Sequence, residues 1–197
     1  MIIKALVLAG GRGVRFGGDK ALAALGGRPL IGHVIEGLRG QSLQPAEIAI
    51  SANGDAGRFA GFGLPVLQDG EFAGLGPLAG LAAGLAWAGD AEVLVTAACD
   101  VPVLPGDLVA RLLPAPAFAR AGGRDHYLAA AWPVSALPAL LALLRAGGSV
   151  RVERFARLLG ARAVEFEDAG GMFANINRRE ELRALAAAGC GNRLPHQ

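Results

Sequence analysis

The chain has 197 residues, 53% hydrophobic and 18% charged, which suffices for a sizeable core; its net charge of +2 excludes a strongly basic nucleic-acid binder. A mean hydropathy of +0.41 raises the question of a membrane span. Two uncharged stretches, Phe72–Gly89 and Tyr127–Leu144, approach spanning length, but Pro77, Pro133 and Pro138 divide them into loop or strand followed by a soluble helix, so no membrane association is expected.

The N-terminus carries no basic segment followed by an apolar stretch, and Cys99 and Cys190 form neither a metal-ligand nor a disulfide pattern. Both features point to the cytoplasm. Ile2–Leu8 reads as a buried strand, and Pro29 as the first residue of a helix with Leu30, Ile31, Val34, Ile35 and Leu38 on one face. Glu47–Ala52 and Leu64–Leu67 are short strands that run into SANGD and QDG. Gly76–Ala88 is a helix whose glycines at 76, 80 and 84 let it lie close on a sheet. Glu92–Ala98 is the clearest central strand and delivers Cys99-Asp100.

A helix is expected from Pro105 to Leu113, then strands Ala117–Ala121 and His126–Ala131 joined by GGRD. Val134–Ala146 and Arg151–Leu159 read as helices, Ala163–Phe166 as a strand and Arg179–Ala187 as the last helix. Strands alternate with helices in the first half, which predicts a parallel sheet covered on both faces; the hairpin near residue 123 makes that sheet mixed. One domain, residues 1–190, is expected, followed by a loose tail at 191–197.

The first strand opens into the loop LAGGRGVRFGGDK, residues 8–20, whose glycines suit a backbone cradle for an anion. A dinucleotide fingerprint is excluded, because the helix signal waits until Pro29 and the second strand ends in Asn53 rather than an acid. A P-loop is excluded because Ala21 follows Lys20. Lys20 is one of only two lysines beside 17 arginines, which suggests a position that wants a compact ammonium. Asp69 and Asp100 each end a strand, where open α/β sheets bind ligands; read singly, each is equally a turn or capping aspartate. Together, the loop, Lys20 and the two carboxylates would meet on one sheet edge, which favours a nucleoside triphosphate with Mg²⁺.

The ordered motifs resemble a known family. LAGG-x-x-x-R-x-G-x-x-K at 8–20, GPLAG at 76–80 and C-D-x-P at 99–102 are similar to nucleotidyltransferases with a Rossmann-like fold, and most similar to the molybdenum cofactor guanylyltransferases. GRPL at 27–30, Gly148-x-x-Arg151 and Phe173-x-Asn175-x-Asn177 extend the likeness from about Leu6 to Leu185. The chain departs from the pattern at Gly13, Phe16, Ser51 and Tyr127. The resemblance implies a three-layer α/β fold with a mostly parallel, mixed sheet, its N-terminal half binding nucleotide and its C-terminal half facing a pterin.

It implies that Leu8, Ala9, Gly10, Gly11, Arg15 and Lys20 belong to the GTP loop, and that Asn53 and Asp69 hold the guanosine. Asp100 would bind Mg²⁺, with Mn²⁺ an alternative, and Lys20 and Asp100 would carry catalysis. Arg151, Asn175 and Asn177 would face molybdopterin. The implied reaction transfers GMP from GTP to the molybdopterin phosphate, with transient contact to molybdoenzymes or cofactor chaperones. Two alternatives stay open: the same chemistry on CTP or on a sugar or lipid phosphate, and a non-catalytic nucleotide or pterin carrier. Cys99 reads as a packed small hydrophobe rather than a nucleophile.

Overall fold

Every side chain of Ile3–Leu8 is buried, and these residues form strand β1 at the centre of the molecule. This is a computed structural model that describes residues 1–10, 19–147, 151–167 and 171–187. The expected tail at 191–197 lies outside the described residues. Alternation along β1 divides the core. Leu6 and Leu8 point to one face, with Leu78, Leu81 and Leu85; Ala5 and Val7 point to the other, with Ile31, Val34 and Ile35.

A two-stranded hairpin, β2 (Ala24–Leu25) and β3 (Arg28–Pro29), precedes helix α1 (Leu30–Arg39). Pro29 therefore sits just before the helix instead of opening it, because it pairs with Ala24. Strand β4 (Glu47–Ser51) and strand β5 (Val66–Leu67) follow, and β5 is shorter than expected. Helix α2 (Pro77–Trp87) leads to strand β6 (Val93–Ala98), whose side chains are all buried.

Helix α3 covers only Leu108–Arg111. The buried Gln41 accounts for its late start. Gln41 Nε2 donates to the Pro105 carbonyl at 2.8 Å, and its Oε1 accepts from the Val109 N–H at 3.0 Å, so a side chain does the work of a helical turn. Strands β7 (Ala117–Ala121) and β8 (Arg124–Pro133) turn tightly at Gly122 and Gly123, both with positive φ, so GGRD yields a two-residue hairpin loop and a longer β8. Helices α4 (Leu137–Arg145) and α5 (Val152–Leu158), strand β9 (Arg162–Phe166) and helix α6 (Arg179–Ala187) complete the order.

The main sheet runs β5-β4-β1-β6-β8-β7-β9, and β8 alone among its strands is antiparallel to its neighbours. Helices α2, α4 and α5 pack on one face, and α1 and α3 on the other. This is the expected three-layer, mostly parallel α/β architecture. No helix among the described residues is long and apolar enough to cross a membrane.

The glycines of α2 set its distance from the sheet. A Cβ at Gly84 would lie 2.4 Å from Leu6 Cδ2 and 3.0 Å from Leu94 Cδ2, and both leucines are fully buried. Gly84→Val is therefore expected to lower stability by about 1–3 kcal/mol through overpacking. At Gly61, where a Cβ meets nothing within 4 Å, the same substitution should shift the urea midpoint little. Equal midpoints for the two variants would refute the close-packing account.

Candidate active site at the sheet edge

Register decides where the loops emerge. Leu8 lies beside Ser51 of β4 and Ala98 of β6, and Ser51 lies beside Leu67 of β5. All four parallel strands therefore end at one level. Ala9-Gly10, Ala52-Asn53, Gln68-Asp69 and Cys99-Asp100 leave the same edge. Backbone bonds continue past the strand ends: Ala9 N–H donates to Ser51 O at 2.8 Å, Ala52 N–H to Leu67 O at 2.9 Å, and Cys99 N–H to Leu8 O at 3.0 Å.

One end of the site carries charge. Lys20 opens a short 3-10 turn, Lys20–Leu22, capped by Asp19, whose Oδ1 accepts from the Ala21 N–H at 3.2 Å. Lys20 Nζ lies 2.6 Å from Asp100 Oδ2 and donates to Asn177 Oδ1 at 2.9 Å. The side chains of Lys20 and Asp100 are 15% and 20% exposed, so the pair is sheltered without being sealed from solvent.

Asn177 arrives from far along the chain. Ile176 N–H donates to Asp100 O at 2.9 Å, and Leu25, Leu30 and Ile176 form a satellite core with Leu182 and Leu185. Glu181 accepts from the backbone N–H groups of Asn177 and Arg178, and the Asn177 N–H holds its carboxyl below the ordinary glutamate range.

The other end is polar and buried. Asn53 Nδ2 donates to Asp69 Oδ2 at 2.6 Å, and Asn53 Oδ1 accepts from the Asp69 N–H at 3.0 Å. Asp69 is 8% exposed. Its second oxygen, Oδ1, is buried without a hydrogen-bond partner. A carboxylate oxygen in that state calls for an external donor.

Between the two ends lies a cleft of about 880 Å³. Leu8, Ala9, Gly10, Lys20, Asn53, Asp69, Asp100 and Asn177 line it, so the structure unites most of the residues selected from sequence. Gly11 and Arg15 lie outside the described residues. Arg151 and Asn175 are exposed and do not line the cleft, whereas Asn177, grouped with them from sequence, shares the nucleotide-side residues' cleft. Gly10 has no positive φ and, among the described residues, no crowded neighbour, since a Cβ there would meet Asn53 Nδ2 at 4.0 Å. Packing against the described residues does not require a glycine at that position, so the space in front of it is what a side chain would fill.

The start of α2 forms another wall. Gly76 has φ +82, Pro77 follows as the first helical residue, and a Cβ on Gly80 would fall 2.2 Å from Ser51 Oγ. The GPLAG motif thus meets three separate backbone requirements. Cys99 also lines the cleft, but burial, reinforced by the negative charge of Asp100, pushes its thiol up to about 12. It stays protonated and is no nucleophile. Sequence reasoning did not select Gln68, Gly74 or Leu128, which also line the cleft; Gln68 and Leu128 lie in segments it recognised, but nothing local showed that they face the site.

The pattern of the MobA-like NTP transferase domain matches residues 5–163. The chain belongs to this family. A curated relative, the molybdenum cofactor guanylyltransferase of Acidiphilium cryptum, is 47% identical over 191 residues, covering 95% of this chain and 96% of that protein. The one from Rhodobacter capsulatus is 50% identical over 188 residues, covering 92% and 94%. Among solved structures, molybdopterin-guanine dinucleotide biosynthesis protein A from Archaeoglobus fulgidus superposes with a TM-score of 0.71 at 20% identity, covering 96% of this chain and 100% of that one. At that identity the structural likeness supports the fold, and the closer relatives support the family. The MobA-like NTP transferase chain is accordingly a nucleotidyltransferase.

Lys20 occupies a tight position between two oxygens. Lys20→Ala is expected to weaken binding of a nucleoside triphosphate by about 1.5–3 kcal/mol, the worth of a hydrogen bond to a charged group. Lys20→Arg should recover little, since a planar fork does not fit where a point charge sits between Asp100 and Asn177. Calorimetric titration of both variants checks this, and wild-type affinity in Lys20→Arg would remove the compact-charge argument.

Proposed function

We propose that this nucleotidyltransferase transfers GMP from GTP to the terminal phosphate of molybdopterin, forming the guanine dinucleotide cofactor and releasing pyrophosphate. The observation that carries the reading is the pairing of two unlike ends in one cleft. Asp69 presents a buried, unpartnered carboxylate oxygen at one end, and Lys20 and Asp100 present opposite charges at the other. The names of the curated relatives support the same choice of substrates.

Guanine suits the Asp69 end. Its N1–H and 2-amino group are adjacent donors, and a carboxylate offers only acceptors. Cytosine and adenine present a donor next to an acceptor, and that acceptor would face a carboxylate oxygen. The triphosphate then runs toward Lys20, which exchanges Asp100 for phosphate oxygens as the nucleotide seats. An oxygen of the molybdopterin phosphate attacks the α-phosphorus, the bond from that phosphorus to the bridging oxygen breaks, and pyrophosphate departs. Such a reaction depends on positioning and charge neutralisation, and no side chain need be covalently modified.

The residues fit a hard divalent cation. Asp100 supplies one carboxylate beside the phosphate end, and no group of three or more His, Cys, Asp or Glu among the described residues forms a protein-only metal cage. One carboxylate plus substrate phosphates is how Mg²⁺ is commonly held. Asp100 would hold Mg²⁺ or Mn²⁺, and the ion would neutralise phosphate charge as a Lewis acid. Arg151 and Asn175, exposed away from the cleft, would meet the pterin partner. We propose the cytoplasm as the compartment in which this reaction runs.

Turnover of GTP with molybdopterin, followed by pyrophosphate release and with CTP and ATP as controls, tests the reading. Asp100→Asn should keep the fold and lose turnover, since it retains the size of the side chain but removes its charge. Wild-type turnover in that variant at saturating Mg²⁺ would overturn the metal assignment. Binding of GTP without pyrophosphate release by the parent chain would favour the carrier alternative. Asp69→Asn should weaken GTP binding by roughly 10–100-fold and narrow the preference over CTP, as measured by competition. Unchanged selectivity would mean that guanine is read elsewhere.

A further inference from the structure

Arg58 belongs to neither end of the site, yet it touches both. It lies on the 3-10 segment Ala56–Phe62, which follows Asn53 and has no counterpart in the sequence motifs. Arg58 Nη1 is 3.0 Å from Asp19 Oδ2, and Nη2 donates to the Asn53 carbonyl at 3.2 Å. The guanidinium lies over the ring of Phe59, 4.7 Å from its centroid, and Phe59 is fully buried. Asp19 caps the Lys20 turn through its other oxygen, and the Asn53 side chain fixes Asp69 with two hydrogen bonds.

We propose that Arg58 is a positioning residue that sets the spacing between the base end and the phosphate end of the cleft. The inference rests on the GTP reading above. One rigid fork, seated on a ring that cannot move freely, ties the cap of the Lys20 turn to the strand end that carries Asn53. A nucleoside triphosphate joins its base to its phosphates at a limited range of distances. Two half-sites held at the matching distance let the second half of the ligand bind as an intramolecular event. Arg58 supplies that match without touching either half of the ligand. A lysine cannot replace it, because a single ammonium lacks the planar fork that reaches Asp19 and the Asn53 carbonyl together while stacking on Phe59.

Calorimetric titration of the full chain with GTP, guanosine and tripolyphosphate, each with Mg²⁺, separates spacing from contact. Arg58→Met is expected to weaken GTP about tenfold while leaving guanosine and tripolyphosphate, titrated singly, at their parent affinities. Arg58→Lys should behave as Arg58→Met does. A selective loss of tripolyphosphate affinity would overturn the proposal, since it would make Arg58 a direct phosphate contact. Loss of both fragments together with a lower melting temperature would also overturn it, leaving Arg58 a structural support. Full GTP affinity in Arg58→Lys would do the same by reducing the role to charge. A parent chain that binds no GTP would overturn the GTP reading and this inference together. A parent that binds GTP beside an Arg58→Met variant that binds it equally well removes the inference alone.

Discussion

Parallel pairing that ends at a common level is the constraint on which the molecule depends. Leu8, Ser51 and Ala98 lie side by side, and Leu67 lies beside Ser51, so four loops leave one edge together. Parallel strands need crossovers, and those crossovers place helices on both faces. The buried strands then read as continuous apolar runs, as β1 and β6 do. Helix α2 reaches the same edge because Gly80 and Gly84 allow close contact with Ser51, Leu6 and Leu94. The cleft follows from sheet geometry before any side chain in it is considered.

Within that frame, the polar groups at the two ends of the cleft are largely paired with each other. Lys20 is bracketed by Asp100 and Asn177, and Asn53 satisfies one oxygen and the N–H of Asp69. Asp69 Oδ1 is the exception. A ligand that offers donors to Asp69, an anion to Lys20 and a cation to Asp100 satisfies all three at once. Under the proposed function, a ligand lacking one of them would leave a sheltered polar group short of a partner, which is where selectivity would arise.

The C-terminal segment completes the charged end at some expense to its own backbone. Phe173 has φ +58, a left-handed conformation that bulky residues rarely adopt. It is held there by stacking on His126, by an edge contact with Phe166 and by an N–H bond to the Val103 carbonyl. Three residues later, Ile176 binds the Asp100 carbonyl and packs against Leu25 and Leu30. The Leu25 hairpin follows Lys20 directly in sequence. Asn177 therefore meets Lys20 because two apolar contacts fasten the segment around Ile176 to the hairpin and helix start that follow the lysine.

Sequence by itself determined the order of strands and helices, the strand-end positions of Asp69 and Asp100, the oddity of Lys20 among arginines and the need for glycines in α2. Each of these leaves a local trace: periodicity, a breaker, or a residue out of keeping with its neighbours. Several features had no such trace. The late start of α3 depends on Gln41, distant in sequence, and the β2–β3 hairpin is too short to show a period. Asn177 stood with Arg151 and Asn175 in the sequence, and only the docking of the last segment brought it to Lys20. Arg58 carried no signal at all, since its meaning lies in reaching Asp19 and Asn53 simultaneously. Local chemistry is written along the chain, but contacts between distant segments depend on packing and register, which arise only when the whole sheet has formed.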